Sequence, residues 1–98
     1  MREIMLQAVP NQRIDVSVGG IAWRIDIKDV PGGMSASIWA DNELLISGTR
    51  ILANSLILPF KYLSIYGNFI IDSGGNPIDW RLLGRSQSLY FIELDELP

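Results

Sequence analysis

Three pairs of carboxylates lie close enough in sequence to suggest acid–base chemistry: Asp26 with Asp29, Asp41 with Glu43, and Asp72 with Asp79. A hydrolase needs two carboxylates a few ångströms apart in a cleft, one with its pKa raised by burial. Asp41-Asn42-Glu43 also offers oxygen ligands, but it lacks the spacing and the glycine of a calcium loop. Turns use Asp and Asn freely, so a solvated turn is the better reading of that tripeptide. The chain has no histidine and no cysteine. The commonest general base, the commonest transition-metal ligand and every thiolate chemistry are therefore missing. A serine nucleophile would have to rely on Lys28 or Lys61, and neither stands beside a recognisable serine motif. Gly19-Gly20, Gly32-Gly33 and Gly74-Gly75 do not open a helix followed by Lys and Ser or Thr, so they read as turns rather than phosphate loops. No catalytic, metal or cofactor-binding residue is assigned.

Aromatic side chains are the remaining candidates. Trp39, Tyr62, Tyr66 and Trp80 could stack bases on an open sheet face. The eight basic residues are scattered and the net charge is −3, so strong nucleic-acid binding is not expected. The same side chains, with Phe60, suit a protein interface instead.

The elements that must position these residues begin with QRIDVSV-GG-IAWRIDIK, an antiparallel hairpin over 12–18 and 21–28. A two-residue Gly-Gly turn sets Val18 opposite Ile21, Val16 opposite Trp23 and Ile14 opposite Ile25. Asp15 then meets Arg24 and Arg13 meets Asp26 on the other face. A one-residue slip would expose the apolar set and break both charge pairs. Asp29-Val30-Pro31-Gly32 reads as a four-residue connection, which places Ile27 opposite Met34, Ile25 opposite Ala36 and Trp23 opposite Ile38. Alternation then turns Trp39 away from the core face.

Further strands are expected at Leu44 to Ser47, with Gly48 as a bulge, at Phe69 to Ser73, and at Ser86 to Leu94. Residues 1–8 suit an edge strand or a docking arm. Leu56 to Phe60 reads as a buried crossing segment or an edge because of Pro59. Lys61 to Asn68 reads as an irregular loop or one helical turn. Ile78 to Gly84 suits a turn of helix after Pro77. Leu89-Tyr90-Phe91-Ile92 is apolar on both faces, as in a closed barrel or at a subunit interface. The chain of 98 residues thus reads as a single all-β domain with a short acidic tail, a small antiparallel barrel or sandwich of six to seven strands. Charged residues are only 19% of the chain, below the usual quarter, which favours burial in an assembly. No signal peptide or bilayer-spanning run is expected.

The order of several short phrases is distinctive. Val9-Pro10-Asn11-Gln12 precedes the hairpin. Gly32-Gly33 precedes a strand, followed by Leu45-Ile46-Ser47-Gly48-Thr49-Arg50-Ile51 and Leu58-Pro59-Phe60-Lys61-Tyr62-Leu63, and Leu89-Tyr90-Phe91-Ile92 closes the chain. In this order the chain resembles the baseplate plug family of contractile-tailed bacteriophages. Phe60 stands where that family usually has Tyr, and Ser64-Ile65-Tyr66 is a departure. The resemblance implies a virion structural protein rather than an enzyme, with no cofactor. It also implies synthesis in a bacterial host cytoplasm, from a phage or a prophage, and a final place in the tail baseplate. Its partners would be the central hub, the spike and tail tube proteins, and a homotrimer would match a three-fold hub. The alternative is a stand-alone barrel that binds single-stranded nucleic acid or peptide.

Overall fold

A computed structural model describes residues 1–58 and 66–96. Among them are seven strands in two antiparallel sheets: β1 (Arg2–Ile4), β2 (Asn11–Val18), β3 (Ile21–Val30), β4 (Gly33–Ala40), β5 (Glu43–Arg50), β6 (Asn68–Asp72) and β7 (Ser88–Ile92). The larger sheet is a meander in the order β2-β3-β4-β5, and the smaller has the order β1-β7-β6. No ladder among the described residues joins the two sheets, so the architecture is a sandwich rather than a closed barrel.

The β2–β3 hairpin has the expected register throughout, from Val18 opposite Ile21 to Arg13 opposite Asp26. Gly19 and Gly20 have φ of 61° and 79°, the left-handed conformation that a two-residue hairpin turn requires. The next hairpin departs from expectation. Asp29 and Val30 belong to β3, and the connection is the Pro31-Gly32 dipeptide alone. Ile25 consequently faces Ile38, Ile27 faces Ala36 and Trp23 faces Ala40. The slip is two residues, and side chains alternate with period two, so either register buries the same face. The tighter turn is held from outside: Arg50 Nη1 donates to the Gly32 carbonyl at 2.6 Å. Trp23 thereby has a small residue, Ala40, opposite it.

β5 runs through Gly48, which forms the expected bulge. It carries two register shifts against β4, between Ala36 and Ile38 and between Ile38 and Trp39. Gly48, at φ 62°, sits in the first, and its N–H donates to Ser37 Oγ at 2.9 Å. Residues 2–4 form an edge strand, as one reading of the N-terminal segment has it, pairing with the strand nearest the other end of the chain. Leu56 bridges to Ile70, and Ile57 and Leu58 are buried beside β6, as a buried edge segment should be. Most of the Lys61 to Asn68 segment lies outside the described residues. Trp80–Leu82 forms a single 3-10 turn capped by Asp79, whose side chain accepts from the Arg81 N–H.

The core lies between the sheets. Trp23 from β3 meets Phe69 of β6 edge to face at 5.0 Å between ring centroids, and Phe91 of β7 at 5.8 Å. Phe69 and Phe91 lie 5.3 Å apart, which closes an aromatic triangle between the layers. Ile25, Ile27, Met34 and Ile38 fill the larger sheet's inner face, and Ile4, Ile71 and Leu89 the smaller one's. Ile14 and Val16 share the core face but are half-buried, because β2 is an edge strand.

Candidate interaction surface

The outward face of the larger sheet is polar and ordered by charge. Arg13 Nε and Nη2 donate to the two carboxylate oxygens of Asp26 at 2.7 and 3.0 Å, a bidentate pair. Arg24 Nε donates to Asp15 at 2.9 Å. The Arg13 hydrogen bond holds the Asp26 carboxyl below its ordinary range, against an opposing effect of burial, and Asp26 raises the Arg13 guanidinium further. Both guanidinium groups are thus held in cross-strand pairs, and Asp26 is not the raised-pKa acid that hydrolysis requires.

Three of the other carboxylate candidates have structural roles. Asp41 and Asn42 occupy the β4–β5 turn with φ of 49° and 69°, and Asp41 Oδ1 accepts from the Ala22 N–H at 2.9 Å. Asp72 Oδ1 accepts from the Gly74 N–H at 3.1 Å in the following turn. Asp79 caps the 3-10 turn. Among the described residues, no group of three or more His, Cys, Asp or Glu side chains is placed to hold a metal ion.

The aromatic candidates are spread over the molecule. Trp39 is half-buried on the outer face of β4, opposite Arg24 of β3 and Leu44 of β5. It lines a cleft of about 430 Å³ with Asp15, Ser17, Arg24 and Asn42. Trp80 is half-buried in a different cleft with Asp29, Met34 and Pro77, and the Arg81 guanidinium lies 4.7 Å from its ring centroid. Trp39 lies near the end of β4 and Met34 near its start, so the two indoles mark opposite ends of that strand. Tyr66 is 44% exposed. Phe60 and Tyr62 lie outside the described residues.

A further surface includes the two-faced run at 89–92, joined by residues the sequence did not connect with it. On the outer face of the smaller sheet, Ile70 of β6 pairs with Tyr90 of β7, and both line a cleft with Ile92, Met1, Asn54 and Asp72. The signal was the two-faced apolar run at 89–92. Leu89 and Phe91 point into the core, while Tyr90 and Ile92 are half-buried on the outside.

No helix among the described residues is long and apolar enough to cross a membrane. No curated protein is similar enough to the chain to count as a match. The family model for the cyanophage baseplate Pam3 plug gp18 matches residues 1–95, nearly the whole β sandwich. A match over that span, to a sandwich with apolar side chains on the outside of both sheets, places this chain in the cyanophage baseplate Pam3 plug gp18 family.

Proposed function

We propose that this baseplate plug packs against the central hub and spike and closes the end of the tail tube until the tail contracts. The family match locates the protein in the virion tail, among other baseplate proteins. The observation that carries the finer reading is the outward placement of apolar side chains on both sheets: Trp39 on one, and Ile70, Tyr90 and Ile92 on the other. A small domain that works through such surfaces forms many modest contacts, which a contracting tail can rearrange without chemistry. Trp39, Trp80 and Tyr66 are proposed contact residues. The net charge of −3 argues against the nucleic-acid alternative, as does the neutralisation of Arg13 and Arg24 by Asp26 and Asp15 on the outer face, because a phosphate backbone needs a continuous basic surface.

Co-expression with the hub and spike proteins of the same phage tests this. Tight co-purification of the plug with the hub is expected. A plug that stays unassociated with hub and spike over a wide concentration range would overturn the proposal.

A further inference from the structure

The outer edge of β2 presents a regular row of backbone groups that no strand among the described residues pairs with. In a hairpin closed by a two-residue turn, the residues flanking the turn exchange both backbone hydrogen bonds, and bonded pairs then recur at every second residue. Val18 and Ile21 flank Gly19-Gly20, so Val16, Ile14 and Gln12 bond inward to β3. Asn11, Arg13, Asp15 and Ser17 must therefore turn their N–H and C=O groups outward. The neighbouring ladder confirms this phase: Ala22, opposite Ser17, uses its carbonyl to accept from the Asp41 N–H at 2.8 Å on the β4 side.

β2 ends its sheet, and no strand among the described residues pairs with its outer edge. The opposite edge, β5, is broken by two register shifts, and β1 at the edge of the other sheet has three residues. Irregularity, shortness and charged side chains are the usual protections of an exposed edge. β2 is regular over its eight residues, and its protection is the charge of Arg13 and Asp15, which an edge of complementary charge would neutralise.

We propose that two copies of the chain join edge to edge through β2, antiparallel about a two-fold axis at Ile14. The outward backbone phase permits only registers shifted in steps of two. Centring on Arg13 sets two arginines opposite each other, and centring on Asp15 sets two aspartates opposite each other. Centring on Ile14 sets Arg13 opposite Asp15 of the second copy, and Asp15 opposite its Arg13. Each row of the outer face then reads Asp26, Arg13, and Asp15 and Arg24 of the second copy, with alternating sign across the seam. On the inner face Ile14 meets Ile14, covering a side chain that is only half-buried in the single chain. Centring on Gln12 or Val16 sets neither Arg13 nor Asp15 opposite a charge of the other sign, so charge complementarity favours the Ile14-centred register and one occupant, a second copy of the chain.

Sedimentation of the purified protein over a range of concentrations, alone and with two charge variants, tests the pairing. Wild type should show a monomer–dimer equilibrium. Asp15→Arg and Arg13→Asp each place like charges across the seam, and each should raise the dissociation constant at least about tenfold. An equimolar mixture of the two variants restores opposite charges at both positions and should dimerise again as a heterodimer. Circular dichroism checks that each variant is folded. Hydrogen exchange on the unaltered protein gives a readout independent of substitution: the Arg13 and Asp15 amides should gain protection as concentration rises. A monomer at all concentrations, a three-fold assembly, or homodimers that persist in both variants with no preference for the mixture would overturn the proposal.

Discussion

The carboxamide of Asn68 takes the place of a strand for Leu58. Its Oδ1 accepts from the Leu58 N–H at 2.9 Å and its Nδ2 donates to the Leu58 carbonyl at 2.9 Å. The same Oδ1 accepts from the Phe69 N–H at 2.7 Å, and the residue is fully buried. Asn68 thereby ties the buried end of the segment before Pro59 to the first residue of β6. A buried backbone group left without a partner costs about 1–3 kcal/mol. Asn68→Ala should therefore lower stability by about 2–4 kcal/mol in urea titration. Asn68→Asp should be worse at neutral pH than at acid pH, since only the protonated carboxyl can still donate to Leu58.

Gly67 and Gly19 separate steric from conformational demands. A Cβ on Gly67, at φ 123°, would lie 2.5 Å from Phe91 Cζ and 2.8 Å from the Ile92 carbonyl oxygen. Gly19 has a positive φ but open space around it. Gly67→Ala should cost about 3 kcal/mol or more, whereas Gly19→Ala should cost about 1 kcal/mol, the strain of the left-handed backbone alone. Thermal unfolding of the two variants makes the comparison.

Trp23 spans the two sheets through Phe69 and Phe91, and its buried Nε1 has no hydrogen-bond partner among the described residues. Trp23→Ala should cost about 3–5 kcal/mol, as expected for loss of a buried aromatic ring. Trp23→Phe should cost clearly less, because it keeps a ring and removes the unpaired N–H. Chemical denaturation with a circular dichroism readout ranks them.

Asp26 titrates below the ordinary carboxylate value of 3.8 because of Arg13. Its folded pKa lies below its unfolded one, so it stabilises the fold above the unfolded value. That contribution disappears as pH falls through the folded value, on the acid side of 3.8. Arg13→Ala should move the Asp26 pKa upward in a carboxyl-detected NMR titration. It should also flatten the loss of stability in that acid range.

Trp39→Ala should weaken binding to the hub by about 2 kcal/mol, as loss of a central aromatic anchor does, with the fold unchanged. Calorimetric titration of the variant against the hub measures it. The indole stands on the outer face with Arg24 and Leu44 as its cross-strand neighbours, so removing it leaves no void between the sheets.

The sequence by itself determined the first hairpin completely. Turn chemistry, apolar alternation and two charge pairs all select one register there, and each alone would reject a one-residue slip. It also determined that Trp39 turns outward, which needs only the parity of β4. It could not decide the β3–β4 offset, because a slip of two residues conserves parity; the tighter Pro31-Gly32 turn that forms accepts a hydrogen bond from Arg50 on the edge strand β5. Only the tertiary structure decided that the first strand lies beside the last, that Asn68 is buried as a backbone surrogate, and that Ile70 and Tyr90 share one outer surface. These relationships join segments far apart in the chain. Their energy comes from groups meeting across the fold, so a local pattern such as the two-faced run at 89–92 marks one side of a contact but not its partner.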